Sequence, residues 1–343
     1  MTISETGLIK ESEQNFRLHT PICDLLGIDY PVLQAGMGLV AYGNLAGEVS
    51  KAGGLGVIGA ALLSPEELRK EIKLVRSITD RPFGVDILFA RMKSGGLTIE
   101  SYSREVQGYI RVVMEERVPV IVSGLGNPSA IIEEAHNLGI KILSVVGNVK
   151  QAVRLTDAGV DAIIATGHEG GGHTGRVGTS VLVPRTVDVI NVPVIAGGGL
   201  VDGRGLVAAL AMGAQGVWMG TRFIATAEAS VHQNYKKKIV DIDEESTVVT
   251  RCHSGKTCRL IRNNFTQEWE TKQDQIKDFP LQVLEVGQPA AILGRIKGDV
   301  ENGSCPAGQG SAIIHEIKNA GQIVKDIVDE ACIVLDFLEK IPR

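Results

Sequence analysis

Aromatic residues are scarce in this chain: Phe, Trp and Tyr make up 4% of 343 residues, against 41 glycines and a 44% share of hydrophobic residues. A core with few rings, much aliphatic bulk and many glycine turns is the composition of α/β folds, where buried parallel strands favour Val and Ile. No run of about 18 apolar residues occurs, which removes a transmembrane helix from the reading. Positive charge is not in excess either. With a net charge of −5 and a pI near 5.9, the chain lacks the broad electrostatic footprint of a nucleic-acid binder. Its five cysteines, Cys23, Cys252, Cys258, Cys305 and Cys332, are odd in number and lack the paired spacing of a zinc site, so no metal is expected and a reducing cytoplasm fits best. The first seventeen residues carry Glu5, Lys10, Glu11, Glu13 and Arg17 and read as a tail rather than as a signal peptide.

What is present is a repeat. Eight short apolar segments precede helix-like stretches: Pro31–Gln34, Gly56–Ile58, Phe83–Leu88, Val120–Val122, Ile140–Ser144, Ala162–Thr166, Val194–Ala196 and Gly216–Met219. Ser64-Pro65-Glu66-Glu67 opens one helix with a capping serine and a first-turn proline. Ala52-Gly53-Gly54, Leu138-Gly139 and Ala158-Gly159 close others with glycine. Eight such units at periods of about 25 residues predict a (β/α)8 TIM barrel. An open Rossmann sheet is the alternative, but Gly36-Met37-Gly38 is followed by Leu39, Val40 and Ala41, so the third glycine of the dinucleotide fingerprint is missing. Residues 232–309 break the repeat with charge clusters and irregular Gly and Pro, and predict a smaller, mainly helical second domain serving as a substrate-side lid. The barrel then comprises residues 1–231 and 310–343, ending in a helix within Ser311 to Leu338.

The segment Gly167-His168-Glu169-Gly170-Gly171-Gly172-His173 leaves the sixth strand. Taken alone it is compatible with a surface turn. Glycines also let backbone approach a flat ligand, and imidazole moves protons near neutral pH. In barrels of this kind phosphate binds at the loops after strands seven and eight, where this chain has Gly197-Gly198-Gly199 and Gly220-Thr221. Backbone N–H groups in such loops hold an anion without a lysine. Gly36, Met37 and Gly38 follow strand one, Asp86 lies near the end of strand three, and Ser123-Gly124 follows strand four. So many ligand-ready loops on one rim fit a flavin mononucleotide, FMN.

These residues are where the chain resembles a known family. Gln34-Ala35-Gly36-Met37-Gly38, Phe83-Gly84-Val85-Asp86, Glu169 to His173, Ala196 to Gly199, Met219 to Phe223 and the closing run Gly298 to Gln309 are similar to the nitronate monooxygenase and enoyl-acyl-carrier-protein reductase type II superfamily. The resemblance implies non-covalent FMN, with phosphate at Gly198, Gly199, Gly220 and Thr221, and with Gly36, Met37 and Gly38 along the ring. Asp86, Ser123, Gly171 and Gly172 complete the expected cofactor set, and His173 is the catalytic residue. Asp86 stands where many members carry asparagine. An ionised carboxylate there would oppose a negatively charged reduced flavin unless hydrogen-bonded or protonated. His168 is the competing histidine and is assigned to the rim.

Two chemistries suit this scaffold: oxygen-dependent oxidation of a nitronate, placed first, and NAD(P)H-dependent reduction of an enoyl thioester. The basic run Arg251, His253, Lys256, Arg259 and Arg262 reads either as a phosphate-binding lid or as a solvated surface. A flavin-binding module without turnover is the alternative of another class. The expected partner is a small molecule, with no nucleic acid or membrane, and a homodimer is left open.

Overall fold

Eight parallel strands form a ring in the computed structural model, which describes residues 18–89 and 98–342. They are β1 (Val32–Gln34), β2 (Gly56–Gly59), β3 (Phe83–Phe89), β4 (Val120–Gly126), β5 (Lys141–Val146), β6 (Ala162–Thr166), β8 (Val194–Gly197) and β9 (Gly216–Met219). The two-residue strand β7 (Gly172–His173) lies outside the ring and pairs elsewhere. Hydrogen bonding runs β1-β9-β8-β6-β5-β4-β3-β2. The ring closes where Leu33 pairs with Leu55, with Gln34 N–H donating to the Leu55 carbonyl at 2.9 Å. Beyond that point β1 and β2 diverge and a side chain continues the seam. The buried Gln34 amide accepts from Val57 N–H and donates to the Val57 carbonyl, both at 3.1 Å, as a backbone neighbour would. The expected (β/α)8 TIM barrel is the observed fold.

Strand alternation sorts the apolar residues into two cores. Leu33, Val57, Val122, Leu143, Ile164 and Trp218 fill the barrel interior, and the helix Pro21–Leu26 joins them through Ile22, Cys23 and Leu26. Residues of the opposite strand face, such as Val85, Ile121 and Ile163, pack with the surrounding helices. Helix starts follow local chemistry. Ser64 accepts from Glu67 N–H while Glu67 reaches back to Ser64 N–H, a capping box whose serine contributes about 1 kcal/mol. The terminal helix begins later than its apolar spacing implies, at Ala320, and buries Ile323, Val324, Ile327, Val328 and Ala331. Gly203 lets it dock closely, since a Cβ there would meet Ala331 N at 2.3 Å.

Residues 232–309 are not simply helical. Helices Gln233–Asp241 and Asn264–Glu270 flank a hairpin of β10 (Thr247–Thr250) and β11 (Cys258–Ile261), whose second strand also pairs with β7. The glycine segment expected to be a loop thus ends as one strand of a three-stranded antiparallel sheet. The tail at residues 1–17 lies outside the described residues.

Candidate active site

The carboxyl ends of the strands form a rim made largely of backbone. Asp86 is buried there, its Oδ1 accepting Gly124 N–H at 2.9 Å. A Cβ on Gly36 would lie 2.2 Å from the Asp86 Cβ, and one on Gly124 would lie 2.3 Å from its Oδ1. Glycine at both positions is what lets the carboxyl sit inside the mouth. Burial pushes its pKa up to about 8, so at neutral pH it is mainly the uncharged acid. Thr166, which also lines the mouth, has a buried hydroxyl with no hydrogen-bond partner. A buried hydroxyl left unsatisfied calls for a ligand or water.

After β8, Gly198 and Gly199 have φ of 98° and 75°, a left-handed conformation that favours glycine. A Cβ on Gly198 would meet the Gly167 backbone at 2.9 Å. Glu169 braces this turn by accepting from Thr179 N–H, and the Thr179 hydroxyl donates to the Gly198 carbonyl at 2.8 Å. Thr221 accepts Gly308 N–H at 2.9 Å, which ties the closing run to the end of β9. Gly171 faces that same run, where a Cβ would fall 2.7 Å from the Ala307 backbone, whereas Gly172 has open space. Met37 and Gly38 cross the rim against the second strand end, since a Cβ on Gly59 would strike the Met37 backbone at 2.5 Å. Gly220 adjoins Met37: its Cβ would come within 3.4 Å of the Met37 Sδ. Ser123 falls elsewhere. It shares the strand face of Ile121, on the helix side, and its hydroxyl is buried without a partner. Its side chain is therefore displaced from the rim by the same alternation that places Asp86 inside.

His173 stands over this rim, paired through β7 with Cys258. Its Nε2 lies 2.7 Å from the hydroxyl of Ser254, a fully buried residue. Burial first, then the positive charges of Lys256 and Arg295, lower the His173 pKa to about 4, so the ring is neutral at pH 7. His253 follows behind it, with ring centroids 6.3 Å apart, and its Nδ1 is 2.9 Å from the Ser304 hydroxyl. Arg295 is buried, donates to the carbonyls of Ser304 and Gly38 at 3.0 and 3.3 Å, and has no carboxylate partner among the described residues. The His168 ring meets backbone, its Nδ1 2.9 Å from the Gly175 carbonyl.

A cleft of about 720 Å³ opens from the rim beside His173. Phe89, Val145, Val177 and Phe279 supply apolar wall, Arg154, Arg176 and Lys256 supply charge, and among the described residues no carboxylate lines it. The basic run, read either as a phosphate-binding lid or as a solvated surface, is dispersed by the hairpin. Arg259 is buried and donates through Nε and Nη2 to the His168 carbonyl at 3.1 and 3.0 Å. Arg251 turns to the Gly255 carbonyl, Arg262 reaches Glu270 at 3.7 Å, and His253 is beneath His173. Only Lys256 of that run lines the cleft, with its Nζ 4.3 Å from the centre of the Phe279 ring. Ser254 and Arg295 carry no sequence signal of their own; the folding of residues 247–304 brings Ser254 to His173 and the charge of Arg295 near it, while Ser304, from the closing run, meets His253.

The nitronate monooxygenase family model matches residues 19–330. The chain belongs to that family. A probable nitronate monooxygenase of Staphylococcus saprophyticus is 35% identical over 301 residues, covering 78% of this chain and 85% of the relative. One from Staphylococcus aureus is 34% identical, covering 80% and 87%. Among solved structures, FabK of Thermotoga maritima superposes with a TM-score of 0.85 at 40% identity, covering 94% of this chain and 98% of that one. The nitroalkane oxidase of Streptomyces ansochromogenes gives 0.82 at 27% identity, covering 92% and 99%. This member of the nitronate monooxygenase family is a flavin-dependent oxidoreductase. Among the described residues no helix is long and apolar enough to cross a membrane, and no group of three or more His, Cys, Asp or Glu is placed to hold a metal.

Proposed function

We propose that the protein oxidises alkyl nitronates with molecular oxygen, using FMN. The rim fits that cofactor: an unpartnered Thr166 hydroxyl, a protonated Asp86, and turns at Gly198 and Gly199 that a side chain would fill. Gly198, Gly199, Gly220 and Thr221 would hold the phosphate. Gly36, Met37, Gly38, Asp86, Thr166, Gly171 and Gly172 would surround the ring, and residues 232–309 would cover the site as a lid. FMN, when bound, supplies the electron acceptor and the reactivity toward oxygen. A neutral Asp86 adds no negative charge beside such an acceptor.

The observation that carries the choice of substrate is the state of His173. An imidazole whose pKa is held near 4 is uncharged at neutral pH and is a weak base, so it is poorly suited to removing a proton from a nitroalkane carbon. It is equally poorly suited to delivering a proton to an enoyl thioester. A nitronate arrives already ionised and needs neither step. The protein then has only to bind the anion, orient its carbon and exclude water.

The cleft favours a second reading. Its volume and its cations Arg154, Arg176 and Lys256 suit a phosphate-bearing molecule, as an enoyl thioester reductase requires, and FabK is among the similar structures. Anaerobic mixing of the FMN-loaded enzyme with propane-2-nitronate, NADH or NADPH separates the two. Rapid bleaching of the flavin by the nitronate, with oxygen-dependent turnover, is expected. Rapid bleaching by a nicotinamide with turnover of crotonyl-coenzyme A, and none by the nitronate, overturns the first reading.

A further inference from the structure

We propose that Ser254 is a positioning residue that fixes the tautomer of His173, leaving Nε2 bare and the proton on Nδ1, so that the histidine offers the cleft a neutral N–H donor for a substrate oxygen. This rests on the reading of His173 as the residue that meets substrate, and specifies what it does there.

Ser254 has one hydrogen to donate, and its side chain is fully buried. Among the described residues the only acceptor its hydroxyl meets is His173 Nε2, at 2.7 Å. The remaining contact of Ser254 Oγ is with Lys256 N–H, at 3.4 Å, in which the oxygen accepts. If Nε2 carried the proton, the ring would donate to Ser254 and the serine hydrogen would be left without an acceptor where water does not reach. An unmade bond of that kind is disfavoured strongly enough to bias the two tautomers at least several-fold. The arrangement that satisfies every group has the serine donating to Nε2.

Nδ1 has no protein partner among the described residues, and the His173 ring lines the cleft. The N–H at Nδ1 is therefore the polar atom the histidine has left for a ligand. Nitronate oxygens, like a thioester carbonyl, are acceptors and match it. Neutral imidazole serves here as a hydrogen-bond donor to oxygen while no net proton transfer occurs. Burial first, and then the Lys256 and Arg295 charges, disfavour imidazolium and keep the ring in the uncharged form in which tautomer choice matters.

The test is nitrogen NMR of the FMN-loaded enzyme, with histidine labelled in both ring nitrogens and the His173 signals assigned by their loss in His173→Asn. A pyrrole-type Nδ1 and a pyridine-type Nε2 at pH 7 are expected. Ser254→Ala should shift His173 to a mixture or to the opposite tautomer, while Ser254→Thr, which keeps the hydroxyl, restores the original signals. Nitronate kcat/KM should fall about tenfold in Ser254→Ala and recover in Ser254→Thr, less than the loss of a whole oxyanion donor. A protonated Nε2 in the wild type, or a His173 spectrum unchanged in folded Ser254→Ala, overturns the proposal. Because the spectra are recorded without turnover, failure of the nitronate reading appears only in the kinetic measurement and leaves the tautomer result standing.

Discussion

The barrel rim and the hairpin segment face each other across one cleft and do different work by different means. The rim acts through main chain: Gly36, Gly124 and Gly198 are positions where a side chain would collide with Asp86 or with neighbouring backbone. The hairpin segment acts through side chains, bringing Ser254, His253, Lys256 and Arg295 to His173. A surface built on backbone tolerates no added atoms, whereas surroundings built on side chains tolerate changes of shape but not of hydrogen bonding.

The largest effect that division implies is at the rim. Gly198→Val forces a β-branched residue to φ near 98° and into the Gly167 backbone, with an expected loss of about 4 kcal/mol or more and of bound flavin. Gly139→Ala has a positive φ but open space around it and should cost only about 1 kcal/mol. Equal melting temperatures for the two variants would erase the distinction.

Acid stability probes the hairpin side. His173 has a folded pKa of about 4 against the ordinary 6.5. As pH falls from 6.5 to 4 the unfolded chain takes up a proton that the folded one refuses, so about 3 kcal/mol of stability is lost in that window. Asp86 runs the other way: its pKa, raised from 3.8 to about 8, makes folding less favourable as pH rises between those values. Denaturant titrations at pH 4 and 7 should show the acid loss reduced in His173→Gln. In Asp86→Asn, which keeps the acceptor for Gly124 N–H, stability should gain more at pH 8 than at pH 4.

His173→Ala should leave flavin bound and lower nitronate turnover about a hundredfold, while His168→Ala, whose ring meets a carbonyl, should change it by no more than a few-fold. An inactive His168 variant beside an active His173 variant would move the chemistry to the other end of the glycine segment.

The smallest contrast lies within the basic run. Arg259→Ala removes two hydrogen bonds to the part-buried His168 carbonyl and should lower stability by about 2 kcal/mol. Arg262→Ala breaks an exposed pair with Glu270 and should change it by less than about 0.5 kcal/mol. If both only weakened nucleotide binding, with melting unchanged, the run would be a phosphate surface after all.

The barrel is legible in the sequence because its signals are local. Apolar segments followed by glycine-ended helices repeat at a fixed period, and the Ser64 cap is written in four adjacent residues. The strand face of Ser123 is easily misread, because a residue one step from Val122 lies on the opposite side of the sheet. The surroundings of His173 are not legible, since Ser254 is 81 residues away and Arg295 farther still. Nor does adjacency in a basic run reveal that a hairpin sends Arg259 inward and Arg262 outward.

One strand pairing has a mechanical consequence. Because β7 hydrogen-bonds to β11, His173 is carried by the hairpin as much as by the barrel, and the two cannot part without dragging the imidazole off Ser254 or off the rim. Opening the hairpin would take apart the pairing that holds the His173 ring in place. The cleft past Lys256 and Phe279 stands open without that separation, like a room entered by a corridor and not by lifting its roof.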